Sequence, residues 1–116
     1  MDNQQITLLS TLFNESLDAI LILDLKTQKF ILFNQKALEL YNYTEDEIKE
    51  ITPKDLTLEF ITNKEMQTRQ KNILEKGWDQ FTSKHKTKDG KAIDVFIKSK
   101  KIQLDGESPL LYITIN

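Results

Sequence analysis

Apolar positions fall at helical spacing at the start of the chain and at strand spacing towards its end. From about residue 3 to 17, Ile6, Leu9, Phe13 and Leu17 recur three or four apart, and Leu8 and Leu12 widen the stripe. Side chains so spaced share one helix face, so the pattern predicts an amphipathic helix. Asp2 or Asn3 can cap it, because a short polar side chain accepts from the free N–H groups of a first turn. Two short apolar runs follow, AILILD (19–24) and KFILFN (29–34), separated by the polar LKTQ. They predict a hairpin. Both runs are apolar on both faces, which predicts a sheet covered on both sides, at least locally.

The middle of the chain is marked by cap residues. Asn34 precedes QKALELYN, where Ala37, Leu38 and Tyr41 give a short helix one apolar side, and Asn42 falls where a left-handed residue ends it. TEDE (44–47) matches the capping box, with Thr44 and Glu47 each satisfying a backbone N–H near the helix start. Pro53 limits this second helix. TNKE (62–65) repeats the box and opens a helix to about Lys76, with Gly77 just past its end. Met66, Ile73 and Leu74 are nearly all its apolar content, so it should lie on the surface with a narrow inward stripe.

Three strand-like runs close the chain: Trp78–Thr87, Lys91–Leu104 and Pro109–Ile115. Trp78 and Phe81 are expected to pack in the core. The order of helix, two strands, helical middle and three strands is not a βαβ alternation, so an α+β fold with an antiparallel sheet is expected. Asp89-Gly90 admits two hairpin registers. A two-residue type I′ turn would pair His85, the only histidine, with Asp94, but would leave neither face apolar. A three-residue loop, Lys88-Asp89-Gly90, puts Phe81, Ser83 and His85 on one face with Ile97, Val95 and Ile93, and Gly90 in a G1 bulge. Burying each β-branched side chain is worth about 1.5–3 kcal/mol. A solvated His–Asp pair is worth roughly 0–1 kcal/mol. The apolar register wins, and it sends His85 to the side opposite Asp94. Lys84, Lys86 and Lys88 then mark a solvated face.

Composition narrows the chemistry. The 116 residues suffice for one core, and sixteen basic against eighteen acidic residues give a net charge of −2, without the basic excess that would suggest nucleic acid as the main partner. There is no cysteine, so disulfides, thiolate catalysis and thiolate metal sites are excluded. One histidine cannot build a multi-histidine metal site. No apolar run reaches the roughly 18 residues of a membrane span. The N-terminal MDNQQITLLSTLF has no basic region of a signal peptide, so a cytoplasmic domain is expected. No nucleophile, base and oxyanion donor can be assembled, so the domain itself is not expected to be an enzyme.

With these elements placed, the chain resembles a PAS domain along nearly its whole length. The stretches that carry the likeness are DAILILD (18–24), KFILFNQKALELYNYTEDEI (29–48) and GWDQFTSKHKTKDGKAIDVFI (77–97). Asn34, Thr44, Glu47, Asp89 and Gly90 match the family pattern, while Asn42 stands where glycine is usual. The resemblance implies a five-stranded antiparallel sheet of order 2-1-5-4-3, short helices over one face with a pocket between, and an N-terminal helix on the other face. It divides the chain into an N-terminal helix (1–17) and a PAS core (18–116). It also implies a sensory module of a histidine kinase or related regulator, with the output domain beyond YITIN, where the chain stops short of the family's Asp-Ile-Thr.

For the cofactor, the resemblance argues against two classes. Cysteine-linked flavin chemistry needs a cysteine that is lacking, and haem usually takes its axial histidine from the long helix before the third strand, where residues 62–76 have none. A closed pocket for a small-molecule ligand is expected to be lined by Phe33, Tyr41, Met66, Ile73, Phe81, Ser83, His85 and Val95. The N-terminal helix, through Ile6, Leu9, Phe13 and Leu17, is expected to form a homodimer. A ligand-free dimerisation or relay module with a filled interior is the alternative.

Overall fold

In the computed structural model, which describes residues 1–116, cap residues set where each helix begins. Helix α1 (Asn3–Asn14) is capped by Asp2, whose carboxylate accepts from the Gln5 N–H at 2.8 Å while the Gln5 side chain accepts from the Asp2 N–H. The hairpin of β1 (Ala19–Asp24) and β2 (Lys29–Phe33) follows, then α2 (Gln35–Tyr41), α3 (Glu45–Ile48), α4 (Pro53–Leu56) and α5 (Asn63–Lys76). Strands β3 (Trp78–Lys86), β4 (Ala92–Ile102) and β5 (Leu110–Ile115) complete the chain. The five strands form one antiparallel sheet of order β2-β1-β5-β4-β3, so the first and last strands lie side by side in its middle.

Asn34 ties three elements together. Fully buried, its side-chain oxygen accepts from the Ala37 N–H as the cap of α2 and from the Ile20 N–H of β1. Its amide donates to the carbonyls of Phe13 and Asp18. Asn42 closes α2 in the left-handed conformation at φ 62°, so asparagine serves where glycine is usual. Thr44 and Glu47 form both arms of the capping box. Thr62 accepts from the Glu65 N–H, but the return bond is absent, so that box is half made. Pro53 opens α4 as its first residue, and the Asp55 carboxylate takes the Thr52 N–H at 2.8 Å.

The β3–β4 hairpin adopts the apolar register. Phe81 pairs with Ile97, Ser83 with Val95 and His85 with Ile93. Gly90 sits at φ 87° in the loop, where its N–H donates to the Thr87 carbonyl. Lys84 and Asp94 pair at 2.8 Å on the opposite, exposed face. Lys88 is exposed as expected and is ion-paired with Glu47 of α3.

Three expectations need correction. Helix α1 ends at Asn14, and Leu17 lies outside it, exposed. The Asn34 amide takes the Phe13 carbonyl and the Asn14 side chain accepts from the Gln35 N–H, which ties the last turn to the head of α2. The rest of α1 has no buried residue, and the expected cover of the β1–β2 hairpin on both faces is incomplete, since Ile31 and Leu32 of β2 stay exposed. Trp78 is not a core residue. It is on the opposite strand parity to Phe81, half exposed, with the Lys76 ammonium 5.7 Å from its ring.

Candidate ligand-binding cavity

The inner face of the sheet is filled at one end and open at the other. At the hairpin end, the Lys88 N–H donates to the Tyr41 carbonyl and docks α2 against the turn. Tyr41, Ala37 and Ile48 are fully buried there, in one cluster with Leu21, Val95 and Ile97. Towards α4 and α5 the same face lines a cavity of about 540 Å³. Its floor is Leu21 and Leu23 of β1, Phe30 of β2, Ile97 and Ser99 of β4, and Leu111, Ile113 and Ile115 of β5. One wall is Asp79, Phe81, Ser83 and His85 of β3, and the other is Leu56, Ile61, Met66, Arg69, Gln70, Ile73 and Leu74.

Strand alternation supplies the floor, because Leu21 and Leu23, or Ile97 and Ser99, are two apart and face the same way. Phe30 needs a further device. Leu23 pairs with Phe30 and Leu21 with Phe33, so Ile31 and Leu32 face a single partner, Ile22. This bulge puts both phenylalanines on the inner face although they are three apart. Helical spacing supplies the α5 wall, since Met66, Arg69, Gln70 and Ile73 stand at positions i, i+3, i+4 and i+7 of one helix face.

Of the eight residues expected to line a pocket, five lie on this cavity: Met66, Ile73, Phe81, Ser83 and His85. Phe33, Tyr41 and Val95 do not. Phe33 packs on the core at the end of β2, past the bulge. Val95 is one step nearer the hairpin than Ile97 and is buried in the filled end. Tyr41 stands behind His85. The cavity is also a cleft rather than a closed chamber, because its lining residues Met66 and Leu74 remain 43% and 76% exposed. Arg69, Ser99 and Phe30 were not anticipated. Spacing from Met66 and Ile73 points to Arg69, and parity with Ile97 points to Ser99, but the bulge that turns Phe30 inward leaves no local signal.

The polar groups have defined states. The Tyr41 hydroxyl lies 2.7 Å from His85 Nδ1. Burial pushes the phenol well above its ordinary range, and burial with the nearby Arg69 charge pushes His85 down to about 4. His85 is therefore neutral at pH 7. The phenol has no other acceptor, so it donates to Nδ1 and the ring proton sits on Nε2. The Arg69 guanidinium lies 3.5 Å from the centre of the Phe81 ring. Asp79, the one acid on the cavity, is buried and accepts from the Asn72 amide at 2.8 Å.

Two other depressions have similar volumes, about 460 Å³ on the outer face of β3 and β4 and about 500 Å³ along α1, but each has at most two apolar lining residues. Neither offers a ligand much desolvation. No helix is long and apolar enough to cross a membrane.

The fold has many relatives. The chain superposes on a PAS domain from a two-component sensor histidine kinase with a TM-score of 0.81 at 14% identity, covering 100% of this chain and 98% of that one. It matches the PAS domain of an HTR-like protein from Haloarcula marismortui with a TM-score of 0.78 at 23% identity, over 96% and 90% of the two chains. An RNA-binding Light-Oxygen-Voltage receptor matches with a TM-score of 0.82 at 15% identity, over 100% of this chain and 34% of that one. At such identities these likenesses establish the fold alone. No curated protein sequence matches the chain. A family model described as the PAS domain matches residues 7–76, more than half of the sequence. By that match the chain belongs to the PAS domain family.

Proposed function

We propose that this PAS domain is a sensory module that binds a small molecule in the cleft between the sheet and α5, as the cytoplasmic input part of a larger signalling protein such as a sensor histidine kinase. The cavity carries this reading. Its volume of about 540 Å³ lies within the usual range for small-molecule sites, and apolar side chains dominate its lining with a few polar groups among them. Met66, Ile73, Phe81, Ser83 and His85 are the proposed contacts, and Tyr41 acts through His85 by fixing its tautomer. The α5 wall has no buried residue, so it can move with little loss of packing. Native mass spectrometry of the purified domain tests the reading. A small-molecule adduct on the 13.6 kDa chain supports it. A domain with no adduct, whose cavity methyl resonances respond to no member of a metabolite library, would overturn it.

A second reading concerns assembly. Ile6, Leu8, Leu9 and Leu12 of α1 are all exposed, and so is Leu17 beyond it, while Phe13 is half-buried. An apolar helix stripe left in water favours a partner surface, and a homodimer through α1 is the proposed occupant. Sedimentation should give a dimer that Leu9→Asp converts to a monomer. A monomer at high concentration would remove this reading.

A further inference from the structure

Three polar groups of the cleft, Arg69, Ser83 and His85, can each donate a hydrogen bond. His85 and Ser83 are 7% and 9% exposed, so each is more than nine-tenths buried. No sealed side-chain nitrogen or oxygen in the molecule lacks a hydrogen-bond partner. His85 Nε2 and the Ser83 hydroxyl make no bond within the protein, so each must reach open space, and the space on their side of the sheet is the cavity. The Tyr41 hydroxyl occupies Nδ1 and leaves Nε2–H as a donor aimed outward. Arg69, on the facing wall, is the one permanent cation on the cavity. Its guanidinium bonds no carboxylate, since the two ion pairs are Lys84–Asp94 and Lys88–Glu47. Its Cζ lies 3.5 Å from the centre of the Phe81 ring. Asp79, the one acid on the cavity, is six residues from His85 along β3, about 20 Å at strand rise, and two residues from Phe81, and its carboxylate is already bonded by the Asn72 amide.

No acceptor within the protein is bonded to the Arg69 guanidinium, the Ser83 hydroxyl or His85 Nε2, and a planar guanidinium beside N–H and O–H donors suits a carboxylate. The rest of the lining, from Leu23 and Phe30 to Leu111, suits a hydrocarbon body. We propose that the ligand of this cleft is a small apolar monocarboxylate, with its acid group between Arg69, Ser83 and His85 and its body against β1 and β5. This rests on the reading of the cleft as a ligand site and specifies what that site takes.

Matched probes test it. Octanoate and octanamide differ in charge but share a chain. NMR titration of the 116-residue chain should show saturable octanoate binding that shifts the cavity methyl groups, with octanamide at least tenfold weaker. Arg69→Gln should remove that preference, and Arg69→Lys should restore part of it. His85→Gln should weaken octanoate several-fold and leave octanamide unchanged. If both probes enter the cleft with equal affinity, or Arg69→Gln leaves the preference intact, the carboxylate assignment is wrong although the cleft still binds ligands. If neither probe enters, the assignment fails, and the metabolite library described above then decides separately whether the cleft is a ligand site.

Discussion

The two ends of the helical layer are built from different material. At the α2–α3 end, Asn34, Tyr41, Ala37 and Ile48 are fully buried, and Asn34 alone joins α1, β1 and α2 through four hydrogen bonds. At the α5 end, fourteen residues contribute none that is buried, and the helix rests on β3 across a cavity. The same sheet supports both. One end is packed as a fixed frame, and the other leaves space and loosely held side chains. In the proposed reading, stability and responsiveness are kept in separate regions, because a packed core cannot yield to a ligand without loss of contacts.

Equivalent substitutions at the two ends should have unequal effects in the predicted direction. Asn34→Ala removes a cap and strands buried backbone groups, so it should cost about 3–5 kcal/mol in denaturant unfolding. Thr62→Ala, which uncaps α5, should cost about 1 kcal/mol or less. Equal losses would mean that α5 is as integral as α2. Ile48→Ala at the packed end should cost about 2–5 kcal/mol, whereas Leu74→Ala on α5 should stay within about 0.5 kcal/mol.

Acid should probe the junction between the ends. His85 is held neutral, with its pKa lowered to about 4, whereas the unfolded ring titrates near 6.5. Between these values the unfolded chain binds more protons, so stability is complete above pH 6.5 and is lost as the pH falls towards 4. The loss is up to about 3 kcal/mol. His85→Gln should flatten that limb of a stability–pH profile. An unchanged limb would place the sensitivity elsewhere. The smallest effect lies on the surface. Hydrogen bonding to Lys88 and to Thr44 lowers Glu47 to about 2. Lys88→Ala should return it towards 4.5 in an NMR titration, shrinking the stability lost as the pH falls from 4.5 to 2.

The frame was largely legible in the sequence, and the cleft only in part. Asn42, Thr44 and Gly77, and Asn34 as the cap of α2, act on backbone groups within a few residues, so local pattern suffices to place them; the bonds of Asn34 to Phe13, Asp18 and Ile20 are long-range and had no local signal. The β3–β4 register was legible because a slip of one residue would turn Ile93, Val95 and Ile97 to solvent. Long-range relations were not. A helix stripe such as that of α1 declares that it wants cover but not which surface supplies it. Phe30 rather than Phe33 floors the cavity because a bulge intervenes, and bulges have no fixed signature. Trp78 was misassigned against its own strand parity. Arg69, at helical spacing from Met66 and Ile73, was within reach of the same reasoning that found them.

Amide hydrogen exchange on the ligand-free chain tests the division most directly. The fixed frame should exchange only on global unfolding, with the slowest amides in β1, β5 and the start of α2. The α5 amides should exchange through a partial opening at least a hundredfold more readily, about 2.7 kcal/mol below the global free energy. Protection in α5 equal to that of β1 and β5 would contradict the account, because the wall of the cleft would then be as fixed as the frame.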